Sequence, residues 1–177
     1  HLYRVLFAPL KWAEEAIPRL ERSLAVNATS LDRELLKSIE DERTDKDLDR
    51  ETLLETDREG PQGEHWADLR RFMRPCGERT LARLKRHKKP LLLVHPGLLA
   101  RYQMDDFLAG LLTHSQRDDA PAVFLVIPTH ETSGAPCIRA TSDRVLPVPT
   151  SGGEPPLVIP ESWVLNFHQG QASATHG

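Results

Sequence analysis

The sequence is poor in cysteine and has no long apolar segment, and these absences exclude several classes of protein. Only two of its 177 residues are cysteines, Cys76 and Cys137. Without a partner motif, they argue against a disulfide-stapled secreted domain and fit a reducing cytosol. No apolar run approaches the roughly 20 residues of a membrane helix, and the first residues lack the parts of a signal peptide. We therefore expect a cytoplasmic protein with no membrane partner.

The motifs of several common enzyme classes are also missing. There is no glycine-rich phosphate loop, no dinucleotide fingerprint and no serine-hydrolase G-x-S-x-G motif. The catalytic-loop and metal-binding residues of protein kinases are absent too. We therefore predict that this chain is not an enzyme and that it has no catalytic residue, no cofactor and no metal site. Because it begins with His rather than Met, we expect a fragment of a longer protein.

Two short apolar runs predict the fold of the second half. Residues 91–94 (Leu-Leu-Leu-Val) and 123–127 (Val-Phe-Leu-Val-Ile) show no polar alternation, which is typical of strands buried on both faces of a parallel sheet. The residues between them, 95–122, are long enough for a helical crossover of the usual right-handed kind. We therefore predict an α/β fold, with a helical N-terminal part followed by a small, mostly parallel sheet that contains a βαβ unit.

Periodicity and turn residues divide the chain into four regions. Residues 1–60 are predicted to be helical, and their pattern is similar to that of a winged helix. Residues 61–89 are predicted to form a helical connector with a basic face. Residues 90–168 form the predicted α/β domain, and residues 169–177 form a small, polar, flexible tail.

Local signals add detail within these regions. Proline is expected to end one helix at Pro75 and to separate it from a second helix that carries Leu81 and Leu84. Residues 137–141 and 144–148 are expected to form either a hairpin or a third strand. A closing helix is predicted from residue 160, with proline in its first turn.

The charge distribution is lopsided although the net charge is only −3. The acidic segment (residues 31–59) has 12 acidic and 6 basic residues, a net charge of −6. The basic segment (residues 70–89) has 9 basic residues and 1 acidic residue, a net charge of +8. It could bind phosphate groups or face the acidic segment within the chain or across a homodimer, and charge runs of this kind favour the second reading. The nucleic-acid candidates are Arg70, Arg71, Arg74, Arg83, Lys85, Arg86, Lys88 and Lys89.

Polar residues follow both apolar runs, where open α/β sheets place their ligand crevice. His95 follows the first run, and His130 and Glu131 follow the second. Two histidines and a carboxylate can bind a metal or act as an acid and a base, but ordinary loop histidines bonded to backbone are far commoner. Cys137 could act as a nucleophile. For it, as for the histidines, the spacing of residues on separate strands says little about whether they form a catalytic site.

Four segments resemble a known family. They are residues 90–102 (PLLLVHPGLLARY), 123–128 (VFLVIP), 146–149 (LPVP) and 159–168 (IPESWVLNFH). They resemble the C-terminal region of the large bacterial phage-defence proteins of BREX (Pgl-type) systems, most closely the PglW-like serine/threonine kinases. The resemblance covers roughly residues 80 to 168. Its motifs indicate strands, turns and helices rather than catalytic residues, and the kinase motifs would lie outside this chain.

The resemblance implies a non-catalytic C-terminal module that docks other defence proteins, the rest of its own protein or nucleic acid. The candidate interaction residues are His95, Gly97, Arg101, Tyr102 and Trp163. Gly97 is expected to allow a tight turn, and Arg101 to bind either the acidic segment or a partner. Trp163 is expected to seal the core or to fill a partner pocket. The alternatives are a nucleic-acid-binding module that uses the basic segment, or a small metal- or histidine-dependent hydrolase.

Overall fold

The structure is built on a five-stranded sheet in which all the strands are parallel. It is a computed structural model that describes residues 2–141 and 143–166. Along the sheet the strands follow the order β2-β3-β4-β1-β7, and β5 and β6 form a separate antiparallel hairpin. The strands are β1 (Tyr3–Pro9), β2 (Ala28–Ser30), β3 (Leu91–Val94), β4 (Val123–Thr129), β5 (Cys137–Thr141), β6 (Arg144–Pro147) and β7 (Leu157–Val158).

Among the described residues, six α-helices connect these strands, and a further helical stretch at residues 161–166, here called the closing helix, follows β7. The helices are α1 (Ala13–Leu24), α2 (Leu31–Asp45), α3 (Arg50–Glu59), α4 (Trp66–Leu84), α5 (Gly97–Arg101) and α6 (Asp105–Ser115). The closing helix confirms the prediction made from Pro160.

The strand pair predicted from the two apolar runs is confirmed. β3 and β4 are adjacent and parallel, with Leu91 opposite Val123 and Leu93 opposite Leu125. All four residues of β3 are buried. The connection between them contains two helices, α5 and α6, because the chain turns at Gln103, which has a left-handed φ of 52°.

The sequence analysis predicted no strand among residues 1–60, and the structure places two there. β1 lies between β4 and β7, with Leu6 opposite both Val126 and Leu157. β2 is the edge strand beside β3. Strands from the N-terminal region and from the predicted α/β domain therefore share one sheet. The polar, half-buried β2 resembles a loop in sequence because an edge strand needs no apolar side chains.

Side chains alternate along the strands and fill two cores, one on each face of the sheet. Val5 and Phe7 of β1 point into the larger core, which is covered by α2, α4, α5, α6 and the β5–β6 hairpin. Leu6 and Ala8 point into the smaller core, which is covered by α1 and the closing helix. The fold is therefore a three-layer α/β sandwich.

The expectation that Pro75 ends a helix is wrong. α4 runs unbroken from Trp66 to Leu84 and contains Pro75. Its buried face, which includes Phe72, Met73 and Cys76, packs in the larger core. This packing holds the helix together although proline removes one backbone hydrogen bond. None of the helices among the described residues is long and apolar enough to cross a membrane.

Candidate functional site

The carboxyl ends of the parallel strands meet at one edge of the sheet, where the chain leaves in opposite directions. After β1 it leads to α1 on one face, and after β3 and β4 it leads to the other face. Such a divergence is the usual ligand crevice of open α/β sheets. Trp12 Nε1 donates a hydrogen bond to Glu161 Oε1 at 2.6 Å, so the closing helix is tied to the end of β1.

His95 links three elements at this edge. Its Nδ1 lies 3.1 Å from Ser30 Oγ, and its Nε2 lies 2.8 Å from Glu14 Oε1. Ser30 also caps α2 by accepting a hydrogen bond from the backbone of Arg33 at 3.3 Å. Through its bonds to Ser30 and Glu14, His95 connects α1, β2 and β3.

The backbone around His95 is held by a second set of bonds. His95 has a left-handed φ of 51°, which is uncommon for a residue with a side chain. Its carbonyl accepts from Asp32 N at 3.0 Å, and Asp32 Oδ1 accepts from Leu98 N at 2.8 Å. Burial raises the pKa of Asp32 despite the Leu98 bond and the nearby His95. These contacts fix the end of β3 against the start of α2.

Gly97 was expected to allow a tight turn, and α5 begins at it directly after the turn, but the left-handed conformation in this turn falls on His95. Gly97 has no left-handed φ, and a Cβ placed on it would lie at an ordinary 3.6 Å from Asp32 Oδ2. Trp163 is half-buried and packs against the smaller core. The Arg19 guanidinium carbon lies 4.2 Å from the centre of its ring. Phe167 and His168, which are part of the family resemblance, lie outside the described residues.

The residues proposed for a hydrolase have different neighbours. Glu131 pairs with Arg139 at 3.7 Å, and His130 is exposed. Cys137 is half-buried on β5, opposite Pro147. Among residues 2–141 and 143–166, no group of three or more His, Cys, Asp or Glu side chains is placed to hold a metal ion.

Arg101 and Tyr102 both bind the acidic segment through one carboxylate. Arg101 Nε donates to Asp57 Oδ1 at 2.9 Å, and the Tyr102 hydroxyl donates to the same oxygen at 2.7 Å. Burial alone would raise the pKa of Asp57, but these bonds and the charge of Arg144 hold it below its usual value. Arg101 was expected to bind either the acidic segment or a partner, and the structure shows the contact with the acidic segment.

Aromatic rings complete this cluster. The rings of Trp66 and Tyr102 lie 5.7 Å apart at an angle of 31°. The guanidinium carbon of Arg144 lies 4.6 Å from the centre of the Trp66 ring, a cation–π distance. The cluster ties together α3, α4, α5 and β6, so Arg101 and Tyr102 serve here as contacts within the fold.

A groove lies between α4 and α6 beside this cluster, and its volume is about 500 Å³. Its floor is apolar and includes Leu81, Met104 and Phe107. The α4 rim carries Arg70, Arg71, Arg74 and Glu78, and the α6 rim carries Asp105 and Asp106. We call this feature the α4–α6 groove. Arg70 Nε donates to the Tyr102 carbonyl at 3.4 Å, near one end.

The basic segment divides into a paired part and an unpaired part. Arg79 Nε lies 2.8 Å from Glu42 and also pairs with Asp45, and Arg83 lies 3.1 Å from Glu34. These bonds join α4 to α2, as expected if the basic segment faces the acidic segment. Nearer the start of α4, Arg71 pairs with Asp68, and Arg74 lies 3.8 Å from Glu78.

The unpaired part lies at the C-terminal end of α4 and just beyond it. Within the described residues, four exposed cations there form no ion pair. We call them the basic tip: Lys85, Arg86, Lys88 and Lys89.

Comparisons with protein-family models, with curated proteins and with solved structures find no match to this chain.

Several residues of these sites were not predicted. Ser30 meets His95 because β2 lies beside β3, and Glu14 meets it because α1 packs on the face of the sheet that includes Leu92 and Val94 of β3. Neither the strand order nor this packing was readable from the sequence. Asp57 is one of twelve acidic residues in the acidic segment, and nothing in the sequence distinguishes it.

His114 is buried in the last turn of α6, and neither of its ring nitrogens has a hydrogen-bond partner among the described residues. Its burial did carry a signal in the sequence, because it follows Phe107 and Leu111 on the apolar face of α6.

Proposed function

We propose that this chain is a non-catalytic interaction module of a bacterial phage-defence protein of BREX type, close to the PglW-like kinases. It works in the cytoplasm and docks partner proteins of the same defence system. The family resemblance supports this proposal, and the observation that carries it is the α4–α6 groove. The groove supplies a surface for a partner next to the residues that carry the resemblance.

The groove has the chemistry of a site for an amphipathic helix. Its floor of Leu81, Met104 and Phe107 can take apolar side chains spaced three or four residues apart on a partner helix. Its rims carry opposite charges. An acidic side chain of the partner would therefore face the arginines of α4, and a basic one would face Asp105 and Asp106.

The aspartates of the α6 rim give the sharpest test. They are exposed and form no ion pair within residues 2–141 and 143–166, so changing them leaves internal contacts intact. We expect the double variant Asp105→Lys/Asp106→Lys to lose capture of a protein encoded in the same defence locus, in pull-downs from a host that carries the full locus. The variant Glu55→Lys/Glu64→Lys changes the net charge equally on other exposed positions and should capture the partner normally.

Three results would count against this function. One is equal loss in both variants, and another is no loss in either variant. The third is the absence of any locus-encoded partner with a folded sample. Lysines in the first turn of α6 oppose the helix dipole, so circular dichroism must show the same helix content in both variants. Asp105→Asn/Asp106→Asn provides a milder change if it does not. A second copy of the chain as the occupant would appear as a dimer in sedimentation that only the groove variant abolishes.

Nucleic-acid binding is the second candidate, and the unpaired charge of the basic tip favours it. Four cations within five residues have no internal partner among the described residues, whereas Arg79 and Arg83 are already neutralised by α2. We expect binding of a short duplex at low salt that weakens steeply as salt rises. Arg86→Gln/Lys89→Gln should weaken it and reduce the salt slope, whereas Lys11→Gln/Lys37→Gln should not. No binding by the folded chain at low salt would remove this candidate.

A further inference from the structure

A second cavity lies at the amino-terminal edge of the sheet, where β2 and β3 begin beside the last turn of α1. Its volume is about 590 Å³, which is within the range of small-ligand sites. The strand register pairs Ala28 with Leu92. Asn27 and Leu91 stand one residue earlier on the two strands, and both line the cavity. We call this cavity the amino-edge pocket.

The polar side chains of this pocket are not used by the fold. Among residues 2–141 and 143–166, five of the side chains that line it form no hydrogen bond and no ion pair: Glu21, Asn27, Thr29, His87 and Lys89. Polar groups of this kind usually bind water at a protein surface, but here they converge on one concave site. They are therefore available to a ligand that enters the pocket.

The pocket combines apolar surface with groups that donate and accept hydrogen bonds. Val26 and Leu91 provide apolar surface, and His87 brings a flat ring. The amide of Asn27 can donate and accept at the same time. A nucleobase has the matching chemistry, because its edge carries donors and acceptors and its face stacks on flat side chains.

The charge at the wall of the pocket favours a neutral group inside it. Glu21 lies there together with Arg22 and Lys89, so both signs of charge are present. α1 also ends there, where Ala25 closes the helix by donating from its backbone N to the Arg22 carbonyl at 3.4 Å. The C-terminal end of a helix carries a partial negative charge. A base therefore suits the interior better than a phosphate group does.

We propose that the amino-edge pocket binds one unpaired base of a nucleic-acid strand. The neighbouring phosphates then lie on the basic tip, because Lys89 belongs both to the tip and to the pocket wall. A base inside a duplex is paired and stacked, so it cannot enter a pocket. The inference rests on the nucleic-acid candidate above. It adds a contact that only a single strand can make, whereas that candidate requires charge alone.

The test measures binding to the full chain at low salt by fluorescence anisotropy. The probes are a short adenine strand and the same strand in a blunt duplex, and unlabelled deoxyadenosine monophosphate serves as a competitor. The strand places a base in the pocket and phosphates on the basic tip, whereas the mononucleotide lacks the neighbouring phosphates. We therefore expect the mononucleotide to bind at least about tenfold more weakly than the strand.

The deciding variant removes the base contacts and keeps every lysine and arginine. Asn27→Ala/His87→Ala should weaken binding of the single strand by about tenfold and leave binding of the duplex unchanged. The control Gln62→Ala/His130→Ala removes an amide and an imidazole at other exposed positions, and it should bind both probes like the unchanged protein. Asn27 and His87 are exposed, so circular dichroism should show the same helix content in both variants. Asn27→Ala alone replaces the double variant if it does not.

The outcomes separate the pocket from the nucleic-acid candidate. A loss of single-strand binding that is confined to the pocket variant supports the proposal. Binding of both strand forms that the pocket variant leaves unchanged overturns the pocket, while nucleic-acid binding by the basic tip still stands. Equal affinity for the mononucleotide and the strand also overturns the proposal, because the pocket would then take a free nucleotide. No binding of any probe by the folded chain overturns both.

Discussion

Single residues in this fold hold separate elements together, and Asp57 is the clearest case. One of its oxygens accepts hydrogen bonds from both Arg101 and Tyr102, so a single carboxylate holds α3 against the end of α5. Arg101 is 30% exposed in this pair and Asp57 is 31% exposed, which keeps the contact partly shielded from water. Arg101 and Tyr102 therefore stabilise the contact between α3 and α5.

Replacing Asp57 should lower the free energy of unfolding more than a change at most partly exposed positions does. We expect Asp57→Asn to lower the free energy of unfolding by about 1–3 kcal/mol at neutral pH, because two donors lose a charged acceptor. The folded-state pKa of Asp57 lies below its ordinary value of 3.8, so this stabilisation is present above that value. It is lost as the pH falls through the folded-state pKa. Urea unfolding at pH 7 and in acid measures both effects.

The control for this variant is Asp41→Asn, a change in an exposed carboxylate on α2. It should stay within about 0.5 kcal/mol of the unchanged protein. An Asp57→Asn variant as stable as this control would mean that the Arg101–Asp57 contact contributes nothing.

The two cysteines should differ sharply in reactivity. Cys76 is fully buried, and its thiol donates to the Phe72 carbonyl at 3.3 Å. Burial, with a further contribution from Glu42, raises the pKa of Cys76 to about 12, and the thiolate is the reactive form. In the folded protein we expect a thiol reagent to modify Cys137 and to reach Cys76 only after denaturation. Mass spectrometry of peptides checks this, and equal rates in the folded state would contradict it.

At the scale of elements, the contact between α2 and α4 joins the acidic and basic segments. Ion pairs of Arg79 and Arg83 lie at its border. A buried bond of 2.7 Å between the hydroxyls of Ser38 and Thr80 lies at its centre. Exposed ion pairs contribute little on their own. The buried hydroxyl pair is therefore the sharper determinant of how the two helices align.

A double-mutant cycle tests this bond. Ser38→Ala and Thr80→Val should each lower the free energy of unfolding by about 1 kcal/mol, because each leaves the other hydroxyl with a weaker bond to the Glu34 carbonyl. The double variant should cost less than the sum of the two by about 0.5 kcal/mol or more. Urea unfolding provides the values. Strict additivity would show that the two hydroxyls are not coupled.

At the scale of the whole molecule, the sequence predicted the elements that are uniformly apolar. β3 and β4 were predicted from the sequence because both faces of each strand are covered, so no polar residue interrupts their apolar runs. β1 carries a comparable run from Val5 to Ala8, but Arg4 interrupts its start. β7 is only two residues long among prolines, and a strand so short leaves no periodicity to detect.

The functional surfaces were harder to predict than the fold, because they depend on strand order and helix packing. His95 was expected at the carboxyl edge and lies there. Its partners are Glu14 on α1 and Ser30 at the end of β2, and the positions of both elements are set by long-range packing and strand pairing. The α4–α6 groove depends on how two helices 20 or more residues apart cross, which local periodicity does not encode.

The buried His114 should make the stability of the molecule depend on pH. Its folded-state pKa lies below its ordinary value of 6.5, so the unfolded chain takes up a proton that the folded chain resists. The free energy of unfolding should therefore fall relative to that of a His114→Gln variant as the pH drops below about 6.5. Urea unfolding between pH 5 and 8 measures the difference. A constant difference across this range would contradict the burial of an unpartnered ring.

The docking function proposed above requires direct contact between a partner and the α4–α6 groove, and photo-crosslinking measures that contact. Benzoylphenylalanine would replace Ala67, an exposed residue on the groove wall, and the same substitution at Glu55 on α3 would serve as the control. With the full defence locus present, the groove position should crosslink to a locus-encoded protein and the control position should not. Crosslinks from Glu55 alone, or from neither position although the chain is folded and the locus expressed, would contradict the account.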